Sequence, residues 1–190
     1  MSLTPREART IARVVKVNHA GEFGAIRIYT AQIWIARHLF PDMVTPLAEM
    51  LLHEKTHCAA FRDAMPERRA RPCRLMSLWS AGGLVLGSLT ALMGRQGVWT
   101  CTAAVEEAVH RHLDDQLLYL RRRDEALHAL IASIQKEEIE HLRCAENRLP
   151  RQGPLQRLAR RAIGVCTDIL IWLSTSGDSR RMSAALRADT

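Results

Sequence analysis

The chain has 190 residues, 47% of them apolar, 25% charged and only 5% aromatic, with a net charge of +7 and a pI near 9.7. That length is enough for one domain, 1–190, with a sizeable core, and the apolar content excludes a disordered chain. The 27 cationic residues, nearly all arginine, suit an anionic partner, either nucleic acid or an anionic membrane surface, without choosing between them. Five cysteines, at 58, 73, 101, 144 and 166, form no CxxC pair. This argues against a disulfide framework or a zinc–thiolate site, and for a reducing compartment. The first ten residues, MSLTPREART, contain no apolar leader region.

Helical composition dominates, rich in Ala, Leu, Ile, Arg and Glu. The first helix opens at TPRE: Thr4 as cap, Pro5 at the first helical position and Glu7 three residues after the cap. Apolar positions recur at helical spacing to about residue 39, where Pro41 and Asp42 break the chain. A second helix is expected from 42 or 45 to about 65, followed by a proline-bounded basic loop, PERRARPCR, at 66–74. Residues 75–93 are uncharged over 19 positions. A spanning helix needs roughly 20 apolar residues, and Gly82, Gly83 and Gly87 weaken a span, so a buried or membrane-surface helix is expected. Further helices are expected at 98–123, 124–147 and 155–174, with a break at LPRQGP, 149–154, and a loose tail at 177–190.

The chemistry lies in spacing. Glu54 and His57 are three apart, as are Glu138 and His141, so each pair shares a helix face. Such pairs are common on solvated surfaces and mean little alone. Glu22, in VNHAGEFGAIRIY, and Glu106, in CTAAVEEAV, add carboxylates among small or apolar neighbours. Glu22 precedes Glu54 by 32 residues and Glu106 precedes Glu138 by 32, so two halves repeat at an offset of 84, each supplying Glu and then Glu-x-x-His. That is the ligand pattern of ferritin-like di-iron carboxylate bundles. Four buried carboxylates need compensation, and two divalent cations supply it. Oxygen and imidazole ligands suit iron or manganese better than a thiophilic metal.

Neighbouring groups are weighed against the same frame. His19, three before Glu22, is a candidate partner behind the ligands, and Tyr29, seven after Glu22, either hydrogen-bonds near the site or packs. His110 and His112 follow Glu106 by four and six residues and are candidates to face the site or line a substrate channel. Glu107, Glu137 and Glu140 read as solvated charges, and His38, His53 and His128 as ordinary surface or core histidines. The ligand set alone leaves open a ferritin-like iron oxidase or peroxidase, a tRNA hydroxylase and a non-catalytic quinone-binding scaffold.

The segments VNHAGEFGAIRIYTAQ, HEKTH, GSLTALMGRQGVWTCTAAVEEAV, EEIEH and DILIWLS together resemble the demethoxyubiquinone hydroxylase family, over about residues 11–175. The resemblance implies an all-α, ferritin-like four-helix bundle with an extra apolar crossover helix and a C-terminal helix. It also implies two iron ions held by Glu22, Glu54, His57, Glu106, Glu138 and His141, and dioxygen as co-substrate. NADH would be the ultimate electron source; no GxGxxG motif follows a predicted strand, so no dinucleotide fold is built in and reduction would come from a partner or through the quinone substrate itself. The substrate would be a membrane-embedded polyprenyl quinone, reached by a peripheral protein whose 75–93 segment and arginine clusters meet an anionic membrane surface. A lipid-binding partner of the coenzyme Q pathway fits the same picture, and nucleic acid does not. With no transit peptide evident, the cytoplasmic face of a bacterial inner membrane is favoured over a mitochondrial inner membrane. Phe23 stands where the family often has tyrosine, at a position that is not a ligand.

Overall fold

The computed structural model describes residues 3–149, 153–181 and 183. Its α-helices are α1 (Pro5–Leu39), α2 (Val44–Asp63), α3 (Met76–Leu92), α4 (Gly94–Leu120), α5 (Glu125–Arg148) and α6 (Pro154–Ser174), with short 3-10 turns at Pro41–Met43 and Pro66–Arg68. No strand occurs among the described residues. The architecture is an all-α, ferritin-like bundle.

Local chemistry sets the helix ends. The Thr4 hydroxyl accepts from the Glu7 backbone N–H at 3.2 Å, and the Glu7 carboxylate accepts from the Thr4 N–H at 2.9 Å. This closes the expected capping box. Asp124 caps α5 by accepting from the Leu127 N–H at 3.0 Å. One boundary departs from expectation: α4 begins at Gly94 rather than near 98. Gly94 has φ +80°, which permits a sharp turn directly out of α3. A second departure concerns the tail. Residues 178–181 are helical, and Asp178 is buried and joined to Arg13 at 2.6 Å, so the loose segment does not begin at 177. Residues 182 and 184–190, and residues 150–152 of the expected break, lie outside the described residues.

α1 packs on α2, and α4 on α5; α2 meets α5, closing a four-helix unit. α3 crosses between the halves against α1 and α4, and α6 lies mainly on α4. One side of the bundle is therefore covered by α3 and α6, while the α2–α5 side faces solvent. The apolar core forms two layers. One gathers Ile33, Phe40, Met43, Leu47, Val98 and Trp99. The other gathers Ile11, Val15, Phe61, Leu120, Leu127 and Ile131.

α3 reverses the usual pattern of a surface helix. Gly83 and Gly87 are buried and press on α1: a Cβ at Gly83 would lie 2.5 Å from the Gly24 carbonyl oxygen, and one at Gly87 would strike the Ile28 carbonyl. Leu78, Val85, Leu89 and Leu92 are exposed, while Trp79 is buried and Leu86 packs inward. Among the described residues, no helix is long and apolar enough to cross a membrane. Three arginines of the expected basic clusters are engaged internally: Arg68 with Asp124, Arg123 with Glu7, and Arg160 with Glu107 and Glu146.

Candidate metal centre

Glu22 on α1, Glu54 and His57 on α2, Glu106 on α4, and Glu138 and His141 on α5 converge between the two apolar layers. All six are buried, at 1–8% exposure. Their donor atoms fall into two groups in which every atom lies within 4.8 Å of the others: Glu22, Glu54, His57 and Glu138, and Glu54, Glu106, Glu138 and His141. Glu54 and Glu138 belong to both groups. Glu22 and Glu106 each belong to one.

The inner atoms fit a cation better than they fit one another. His57 Nδ1 is 2.9 Å from Glu138 Oε1, and His141 Nδ1 is 3.3 Å from both Glu54 Oε1 and Glu138 Oε2. Despite these distances, His57 Nδ1, His141 Nδ1, Glu54 Oε1 and Glu138 Oε1 lack hydrogen bonds of acceptable angle. Buried donors and acceptors left unpaired are costly. Four in one cluster, all aimed inward, have the chemistry of a metal-binding set.

Electrostatics agree. Burial, and then neighbouring carboxylates, hold the Glu22 and Glu106 carboxyls well above the usual range. Burial raises Glu54 as well. Burial would also raise Glu138, but contacts with His141 and His57 outweigh it and keep this carboxylate ionised. Burial would lower His141, but contacts with Glu138 and Glu54 outweigh it and push this imidazole up to about 10. Without a metal, the cluster balances its charge by retaining protons, which a divalent cation would displace.

The surrounding residues divide between fulfilled and corrected expectations. The Tyr29 hydroxyl donates to Glu106 Oε1 at 3.3 Å, a contact with the cluster rather than packing alone. His112 lines the adjoining cavity and bonds Asp168 Oδ1 at 2.9 Å. His110 turns away, to Gln135 and Asp114. The His19 Nδ1 has no partner, and no hydrogen bond from its ring to the six appears among the described residues. Two residues taken as ordinary are not. Glu137 accepts from His57 Nε2 at 3.1 Å, and His53 Nδ1 lies 3.0 Å from His141 Nε2 with the rings stacked. Each directly precedes a Glu-x-x-His glutamate, at equivalent positions of the two halves. The 84-residue repeat contained this signal.

A cavity of about 380 Å³ opens beside the cluster between α1, α3, α4 and α6. Glu22, Glu54, Glu106 and Glu138 form its polar wall, and Ile28, Leu86, Val105, Val109 and Ile163 are among its apolar ones. The two histidines do not line it; their outer nitrogens face the α2–α5 side. The cluster therefore has a carboxylate face toward an apolar chamber and an imidazole face toward solvent.

The family model described as ubiquinone biosynthesis protein COQ7 matches residues 9–174. The chain belongs to the COQ7 family. Curated COQ7 relatives include the 3-demethoxyubiquinol 3-hydroxylase of Rhodospirillum rubrum, 36% identical over 90% of this chain and 80% of its own. The mouse NADPH-dependent 3-demethoxyubiquinone 3-hydroxylase, mitochondrial, is 34% identical over 92% and 81%. The 5-demethoxyubiquinone hydroxylase, mitochondrial, of Saccharomyces cerevisiae is 33% identical over 74% and 67%. The likeness spans α1 through α6, so it covers all four helices that carry the cluster.

Proposed function

We propose that this chain is an oxygen-dependent di-iron monooxygenase that hydroxylates the ring of a demethoxyubiquinone precursor, the penultimate step of ubiquinone biosynthesis. The observation that carries the reading is the placement of four buried glutamates on the wall of an apolar cavity, with two imidazoles completing the set. Glu22, Glu54, His57, Glu106, Glu138 and His141 would hold two iron ions. The irons would supply the redox chemistry by which dioxygen and two external electrons deliver one oxygen atom to the ring and one to water.

The protein's own contribution is shape and environment. The cavity walls exclude water and accept a lipophilic ring. His112, oriented by Asp168, stands on the cavity wall as a hydrogen-bonding group for a quinone oxygen. The exposed apolar faces of α3 and α6, which flank the cavity, suit a peripheral position on a bilayer where a polyprenyl tail could enter between them. An anionic inner-membrane surface, bacterial or mitochondrial, is the setting this implies, with a lipid-binding partner of the pathway as a possible donor of substrate. Expected electrons come from NADH; the mouse relative's name specifies NADPH, so a nicotinamide nucleotide outside the chain is the reductant class. Arg68, Arg123 and Arg160 are engaged in ion pairs with the protein's own carboxylates, which weakens the basic clusters as a contact for nucleic acid and for anionic lipid alike, so the membrane reading rests on the exposed apolar faces.

The test is complementation. In cells lacking their own hydroxylase, the wild-type chain should restore ubiquinone, whereas Glu138→Ala should leave the demethoxy precursor to accumulate. Full restoration by Glu138→Ala would exclude catalysis at this cluster.

A further inference from the structure

The six candidate ligands obey the 84-residue repeat, but the residues that touch them do not. Positions 53 and 137 are equivalent, and the first half has histidine where the second has glutamate. Each reaches across to the outer nitrogen of the histidine on the facing helix. His57 Nε2 donates to the Glu137 carboxylate at 3.1 Å. His141 Nε2 lies instead 3.0 Å from His53 Nδ1, so its partner is an imidazole and not a carboxylate. Glu137 Oε2 stays 4.0 Å from His53 Nδ1, beyond hydrogen-bond reach. Positions 29 and 113 are also equivalent, and they carry Tyr29 and Leu113. The Tyr29 hydroxyl donates to the terminal carboxylate Glu106. Leu113 has no donor to offer Glu22.

The two differences act in one direction. A carboxylate that accepts the outer N–H of an imidazole makes the inner nitrogen a stronger ligand, and a neutral acceptor does so less. A hydroxyl that donates to a carboxylate withdraws electron density from its ligating oxygens. We infer that the two metal positions are unequal. A cation among Glu22, Glu54, His57 and Glu138 is held more tightly, and one among Glu54, Glu106, Glu138 and His141 is filled last and lost first. The inference rests on the metal-centre reading and deepens it.

Titration of the full chain with Mn2+, followed by calorimetry and electron paramagnetic resonance, tests it. The wild type should show two steps separated by about tenfold or more in Kd, within the range over which outer partners change metal affinity. At one equivalent the spectrum should be that of isolated Mn2+ rather than of a coupled pair. His53→Glu, at a half-exposed position, places a carboxylate behind His141 and should shrink the separation. Tyr29→Phe should shrink it by freeing Glu106, and Glu137→Gln should loosen the first step about tenfold. Melting curves confirm that each variant folds. Two indistinguishable steps in the wild type, or a separation that neither His53→Glu nor Tyr29→Phe moves, would overturn the inference. Absence of any bound Mn2+ would bring down the metal-centre reading, and the inference with it.

Discussion

At the scale of residues, the cluster trades stability for binding. Glu22 is buried beside Glu54 and Glu138, which hold its carboxyl well above the usual range after burial itself. Glu22→Gln keeps the volume and removes an ionisable group. Without metal, this variant should melt at the wild-type temperature or slightly above it, because at neutral pH folding must protonate a carboxyl whose pKa burial raises, a cost that a neutral amide does not carry. With Mn2+ or Fe2+ at a hundred times the wild-type Kd, the wild type should gain about 2.7 kcal/mol and the variant far less. Melting curves with and without chelator check both halves; a variant weakened without metal yet stabilised normally by it would contradict the assignment. The six candidate ligands stand out because they repeat in sequence, and the fold brings all six into one buried cluster. The roles of His53 and Glu137 were not, since each depends on a contact between α2 and α5 that no single helix displays. His110 failed for a related reason: four residues after Glu106 places it near the same face, but Gln135 and Asp114 draw it outward.

At the scale of elements, close packing and capping carry the predictions. α3 approaches α1 through Gly83, whose added Cβ would meet the backbone of Gly24 at 2.5 Å. A backbone atom cannot step aside, so Gly83→Ala should cost about 1–3 kcal/mol. Gly82→Ala is the control: its Cβ meets nothing within 4 Å, so better helix propensity should leave stability equal or improved by up to about 1 kcal/mol. Denaturant unfolding of the two variants separates these outcomes. At the start of α1, hydrogen bonds from the Thr4 backbone and side chain, and then Arg123, lower the Glu7 carboxyl from 4.5 to about 2. Because the folded pKa is depressed, this contribution is complete above the unfolded value and fades as pH falls from 4.5 toward 2. The melting difference between wild type and Glu7→Gln should therefore be visible at neutral pH and vanish in acid. The capping box could be read from four letters because its bonds are local. The start of α4 could not, because the expected gap assumed a loop, whereas Gly94 turns the chain with no loop residues to spare.

At the scale of the whole molecule, the bundle presents two unlike sides. The α2–α5 side exposes polar groups over the imidazoles, while α3 and α6 expose Val85, Leu89, Leu92, Leu158, Val165 and Ile169 beside the cavity. If that side lies on a bilayer, Leu89→Asp combined with Ile169→Asp should sharply reduce co-sedimentation with anionic vesicles and leave Mn2+ binding intact. Equal sedimentation of the variant would place the membrane surface elsewhere. The uncharged stretch 75–93 announced an unusual helix, but its orientation came only from packing, with Gly83, Gly87 and Trp79 inward and Val85, Leu89 and Leu92 outward. The central claim is that the cluster inserts oxygen into a quinone ring. The measurement that tests it most directly begins with the chain loaded with ferrous iron under anaerobic conditions, together with a short-tailed demethoxyquinone and a reductant. Isotopically labelled dioxygen is then admitted, and the product is weighed by mass spectrometry. Gain of a single labelled oxygen atom by wild type, and none by Glu106→Ala, is the predicted result. A chain that binds two irons yet adds no labelled oxygen to the ring would contradict it.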